Sequence, residues 1–224
     1  MNMTVVWIAC LIVPLGFGLW AQMRVKRTFE RYSQVAVRNG MTGAQAAAAV
    51  VRASGLPDVE IRHVEGRLSD HYDPRNRTLN LSADVGQAAS VAALGVAAHE
   101  AGHAIQDARG YRPMRVRQAF VPVAGIGSNL AFPIIFIGFL TSSLGLVNVG
   151  LALFTAIVLF QLITLPVEFD ASKRALVALS DGRLLQADEL EGAKKVLDAA
   201  ALTYVAAFVA SLAQLLYFFL ASRR

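Results

Sequence analysis

The 224-residue chain has one cysteine, Cys10, and only 17% of its residues are Asp, Glu, Lys or Arg. A single thiol excludes an internal disulfide framework and a cysteine-based zinc ribbon, so any metal must be held by histidine and carboxylate. The charged share lies well below the roughly 25% of ordinary soluble domains. Combined with 55% hydrophobic residues and a mean hydropathy of +0.49, it excludes a disordered chain. No period recurs along the sequence, which excludes a solenoid or a collagen-like array. A basic stripe interleaved with aromatics is also missing, so the net charge of +5 does not indicate a nucleic-acid partner. The Arg and Lys residues instead flank apolar segments, where they set membrane topology.

Three stretches carry no charged residue: 1–23, 118–167 and 199–222. A bilayer crossing takes about 20 apolar residues. The middle stretch would be about 75 Å long as a helix, too long for one crossing, and predicts a hairpin turning at 141–145. Four spans follow, at 4–22, 120–141, 146–166 and 201–221. The first has no basic segment before it and no A-x-A site after it, so it reads as a retained anchor, with Cys10 as a thiol packed within the span. Residues 24–118 hold 14 Lys and Arg, residues 167–200 hold five, and the tail holds Arg223 and Arg224. The positive-inside rule puts both loops in the cytoplasm and both chain ends outside. The expected organisation is an anchor (1–23), a cytoplasmic catalytic region (24–118), a transmembrane hairpin (119–166), cytoplasmic helices (167–200) and a last transmembrane helix (201–224).

The cytoplasmic part is long enough for one small core. Thr42 as N-cap, the run AQAAAAVV and Gly55 predict a helix over 42–53. VEIRHVEG and RTLNLS read as two short strands joined by a polar loop containing DHYDPRNR. From 85 to 108 the Ala-rich chain reads as one helix, and it carries His99-Glu100-Ala101-Gly102-His103, an HExxH pattern. On a helix the two imidazoles lie one turn apart on one face and can reach one cation. Zinc accepts histidine nitrogen and leaves a position for water in catalytic sites. Glu100, about 100° round the helix, can touch that water as a general base without binding the metal.

A third ligand is needed, and neither His63 nor His71 has the close downstream spacing of a third histidine. Glu168 is the best candidate, two residues past Pro166, where the third span ends on the same side as His99; it heads a helical run, EFDASKRALVAL, that can lie against the HExxH helix at Gly102. The competing reading is that Glu168 and Asp170 cap a helix against its dipole. An oxyanion donor is sought among His71, Tyr72, Arg174 and Tyr204, which spacing alone cannot separate. His63 reads as an exposed strand residue and Asp107 as facing water.

HEAGHAIQ, LSDHYDPRNRTLNLS and LPVEFDASKRA together resemble the YugP-like neutral zinc metallopeptidases, a family of bacterial membrane proteins, over roughly residues 20–220. The resemblance implies a zinc-dependent peptidase of the bacterial cytoplasmic membrane with one Zn2+ per chain. It implies His99 and His103 as ligands, Glu100 as base and, by further likeness to gluzincin membrane peptidases, Glu168 as third ligand. Those relatives carry Glu-x-x-Ala-Asp, whereas this chain has Glu168-Phe-Asp-Ala171-Ser172. The partner that orients a zinc-bound histidine therefore stays open between Asp170 and Ser172.

The resulting expectation is a mainly α integral membrane protein with four transmembrane helices and a small α+β zincin-like catalytic domain built on the HExxH helix. Its partners are a peptide or membrane-protein substrate, held as an added strand on an exposed sheet edge, and the lipid bilayer. Two alternatives remain at this stage. One is a site-2-type intramembrane protease using Leu179-Ser180-Asp181-Gly182; the other is a catalytically silent metal-binding scaffold, which would need a fourth ligand.

Overall fold

The computed structural model describes residues 3–66 and 69–223. Leu68, which opens LSDHYDPRNRTLNLS, and Arg224 lie outside the described residues, as do the side chains of residues 3–7. In chain order the elements are α1 (Met3–Ser33), α2 (Gly43–Ala53), β1 (Glu60–Val64), β2 (His71–Asp73), β3 (Thr78–Ser82), α3 (Ala83–Gly86), α4 (Val91–Ala108), α5 (Arg112–Leu140), α6 (Leu144–Asp181) and α7 (Ala187–Ala221).

The apolar stretches fold as helix where they are described, and the helices run well past them. α1, α5, α6 and α7 are each long and apolar enough to cross a membrane. α5 and α6 turn within the expected 141–145 segment, where Ser142 takes a left-handed φ of 52°. One expectation is corrected at α6. EFDASKRALVAL does not start a new helix, because α6 continues through Pro166 to Asp181. Glu168 and Asp170 thus stand mid-helix, where no free N–H groups exist to be capped.

The chain packs as two units. The first combines Met1–Gln22, Arg115–Pro166 and Leu202–Arg224. Its core is Ala131, Ile135, Val147, Leu151, Phe154 and Val158, with Phe208 and Phe218 packed against it. Phe132 meets Phe154 and Phe218 edge to face at centroid distances of 5.2 and 5.8 Å, the arrangement aromatic quadrupoles favour. Large apolar side chains stay on its surface, Val13 at 66%, Phe136 at 64% and Leu140 at 70% exposure. Such a surface suits lipid rather than water.

The second unit combines Met23–Met114 with Val167–Ala201. α2 begins with a reciprocal cap: Thr42 Oγ1 accepts from the Gln45 N–H while the Gln45 side chain accepts from the Thr42 N–H. Its apolar face, Val50 and Val51, joins Leu79, Leu81 and Leu94 in the core. Burying each such leucine contributes about 1.5–3 kcal/mol.

The sheet corrects the two-strand expectation, since three strands pair in the order β1-β3-β2. β3 lies in the middle, parallel to β1 and antiparallel to β2. β2 is three residues cut from the polar DHYDPRNR loop, too short and polar to announce itself by alternation. The 85–108 helix is corrected as well. Ser90 interrupts it, pairing with Ala36 as an isolated bridge and capping α4 through its hydroxyl, which accepts from Ala93 N–H at 3.2 Å.

Candidate metal centre

α4 puts His99 and His103 side by side, with ring centroids 4.8 Å apart. The third donor arrives because α6 can lie against α4 at a glycine. A Cβ on Gly102 would fall 2.5 Å from the Ala171 carbonyl oxygen, so only a bare Cα admits this crossing. Glu168, one turn before Ala171, is thereby brought to the two imidazoles. Gly102→Ala is expected to lower stability by about 1–3 kcal/mol through overpacking and to weaken zinc binding, because the contacting atom is backbone and cannot swing away. Unfolding midpoints and a zinc titration on the same variant check both effects.

The donor atoms converge. His99 Nε2 and His103 Nε2 lie 3.3 and 3.5 Å from the same oxygen, Glu168 Oε2, and the three ligand atoms fall within 4.8 Å of one another. Glu168 is 2% exposed and His103 7%. The other ring nitrogens are taken: His99 Nδ1 meets Ser172 Oγ at 3.1 Å, and His103 Nδ1 donates to Gln106 Oε1 at 3.0 Å. With Nδ1–H engaged, a neutral His103 turns its Nε2 lone pair towards a carboxylate oxygen, and two lone pairs face each other without a proton between them. A cation resolves that repulsion, and two imidazoles with one carboxylate are ligands that zinc takes. The carboxylates favour positive charge at this position, whether a proton or a metal carries it. Burial alone would lower the His103 pKa, but the Glu168 and Glu100 carboxylates outweigh it and hold the imidazole above its ordinary value.

Glu100 is buried beside this group, and its Oε2 accepts the backbone N–H of Tyr72 at 3.0 Å. Burial pushes its carboxyl up from the usual carboxylate range, against the opposing pull of His99 and His103. β2, an outer strand of the sheet, thus reaches Glu100 through its main chain.

The oxyanion candidates separate by position. The Tyr72 phenol donates to Asp107 Oδ2 at 3.0 Å, so Asp107 has a protein partner where water was expected; burial, ahead of the Asp107 charge, raises the phenol's pKa. His71 is paired with Asn80, opposite the face on which Tyr72 and Leu79 lie. Its Nδ1 is 2.7 Å from the Ser69 carbonyl and its Nε2 3.2 Å from the Asn80 amide. His71 is not a member of the converging donor group. Arg174 donates through Nε to Asp170 Oδ2 at 2.5 Å and lies over the Tyr111 ring, 5.6 Å from its centroid. Tyr204 is half-buried on α7 within the other unit. His63 is exposed on β1. Asp181 of the Leu179-Ser180-Asp181-Gly182 stretch is exposed and lines a surface cavity with Lys173 and Arg174; it does not belong to the donor group.

The open choice between Asp170 and Ser172 divides between the two histidines. Ser172 meets His99 directly, whereas Asp170 reaches His103 through Gln106, whose Nε2 donates to Asp170 Oδ2 at 2.8 Å. Gln106 was passed over in the sequence, although it ends HEAGHAIQ and stands one turn beyond His103, where helix neighbours meet.

A family model described as "Putative neutral zinc metallopeptidase" matches residues 7–223. The chain is 46% identical over 208 residues to a protein of Bacillus subtilis (strain 168) named "Putative membrane protease YugP", covering 92% of each. No solved structure matches the chain.

Proposed function

We propose, from the premise that the chain belongs to the neutral zinc metallopeptidase family, that it is a membrane-embedded endopeptidase in which His99, His103 and Glu168 hold one Zn2+ and Glu100 is the general base. The observation that carries this reading is the convergence of three donors from α4 and α6, of which His103 and Glu168 are buried and His99 partly so, beside an acid that is not one of them. Zinc held there would polarise a peptide carbonyl and lower the pKa of a water molecule towards neutrality.

The remaining work falls to the chain's own residues. Glu100, oriented by the Tyr72 N–H, takes a proton from the attacking water and returns it to the leaving amine. One C–O bond forms, the C–N bond breaks and one water is consumed. β2 ends its sheet beside Glu100, and an extended peptide would add there through main-chain groups other than the Tyr72 N–H already given to Glu100, which gives affinity that tolerates different sequences. Among the described residues the donor group has three members rather than the four that close a structural zinc site, which favours catalysis over a silent scaffold.

We read the second unit, Met23–Met114 with Val167–Ala201, as a catalytic domain of zincin type. The Lys and Arg excess of those segments puts it in the cytoplasm, where peptides and membrane-protein segments are its substrates. Detergent-purified protein loaded with zinc is expected to cleave an unstructured protein substrate, to stop when a chelator removes the metal and to resume when zinc is restored. Cleavage that persists in full after complete zinc removal would contradict the reading.

A further inference from the structure

We infer that Gln106 is the positioning residue that sets the tautomer of His103 and holds Glu168 beside it, an assignment that rests on the zinc-holding role proposed for His99, His103 and Glu168. Gln106 is 0% exposed, so its amide must satisfy its hydrogen bonds within the protein. Its Nε2 donates to the Val167 carbonyl at 2.7 Å and to Asp170 Oδ2 at 2.8 Å. Both partners are acceptors, a main-chain carbonyl and a carboxylate that already accepts from Arg174 Nε. Turning the amide over would set its oxygen against both. Its NH2 group is therefore committed to α6, and its oxygen to His103.

That orientation decides the imidazole. An amide oxygen can only accept, so the 3.0 Å contact to His103 Nδ1 requires a proton on Nδ1. The neutral ring then presents its lone pair at Nε2, the nitrogen that faces Glu168. His99 lacks this constraint, because its Nδ1 partner is the Ser172 hydroxyl, which can donate or accept. Of the two histidines, His103 is the one whose form is dictated by its surroundings.

The same amide acts on the third donor. Its two anchors on α6, Val167 and Asp170, bracket Glu168 in the chain, one residue before it and two after. One side chain thus ties the turn of α6 that carries Glu168 to the turn of α4 that carries His103. Arg174, stacked over Tyr111, continues the chain of partners outward and holds the Asp170 carboxylate towards Gln106.

The test uses the full-length protein in detergent and measures zinc affinity by competition with a chelator. The metal-free unfolding midpoint and the visible spectrum of the cobalt(II)-loaded protein are recorded alongside. Gln106→Met keeps the volume and removes the acceptor and both donors. It is expected to bind zinc roughly 10–100-fold more weakly, as loss of a partner behind a metal ligand does, and to shift the cobalt bands, which report ligand geometry. Asp170→Ala keeps the amide but removes one of the two groups that fix its orientation, so it is expected to lose less affinity in the same direction. Wild-type zinc affinity in Gln106→Met overturns the assignment. So does a lowered midpoint with an unchanged cobalt spectrum, which marks packing alone. If Gln106→Met fails to fold, unchanged affinity and spectrum in Asp170→Ala overturn it. Wild-type protein that takes up no zinc overturns the metal-site reading itself, which separates the two failures.

Discussion

Glu100→Gln is expected to slow peptide hydrolysis by roughly 10²–10⁴-fold, the usual contribution of a positioned general acid–base, while zinc content stays at the wild-type level. The substitution is isosteric, and the amide oxygen can still accept the Tyr72 N–H that orients the side chain. What disappears is the ability to take a proton from water. Glu100 is not among the three converging donors, so the metal should be held as before. Turnover by zinc-loaded variant and wild type, compared at equal metal content, checks the effect. Near-wild-type turnover would remove Glu100 from the proton path.

Glu168→Ala is expected to have the opposite signature, with loss of activity following loss of metal. Its Oε2 is the atom on which both Nε2 groups converge at 3.3 and 3.5 Å, and alanine puts nothing in its place. Two imidazoles alone are a poor zinc site compared with the three protein ligands of catalytic centres. The fall in zinc affinity should exceed the roughly 10–100-fold that accompanies loss of an outer partner. Activity should return in part at high zinc if the two histidines still bind weakly, which a zinc titration of turnover measures. Glu168→Gln, which keeps the shape but not the charge, is expected to fall between Glu168→Ala and wild type.

The contrast between these two carboxylates shows which parts of the molecule the sequence exposes. HExxH is local, so the shared face of His99 and His103 follows from helix geometry alone. The apolar helices were legible because the charge-free stretches interrupt an otherwise mixed chain, and Ser142 turns where the middle stretch was too long to cross once. Helix ends were less legible. α1 continues through Arg24, Lys26, Arg27 and Arg31 to Ser33, because charge ends a hydrophobic run without ending helix propensity. Pro166, which removes a backbone hydrogen bond, suggested a boundary that α6 does not have. β2 escaped notice because three polar residues gain strand form only by pairing with β3.

The surroundings of the histidines were hidden for a different reason. Ser172 and His99 are separated by 73 residues, and Gln106 and Val167 by 61, so no periodicity links them. Gly102 is the one legible signal of the crossing, as a helical glycine inside a motif is costly unless another backbone approaches it. Ala171 does so. That crossing turns two distant motifs into one group of donors.

The most direct measurement is the zinc content, by elemental analysis, of detergent-purified and zinc-reloaded wild type, Glu100→Gln and Glu168→Ala. The predicted result is about one zinc per chain, the stoichiometry of single-metal catalytic sites, for wild type and Glu100→Gln, with depletion in Glu168→Ala. Full zinc retention in Glu168→Ala, or none in reloaded wild type, would contradict the three-donor site on which the proposed chemistry depends.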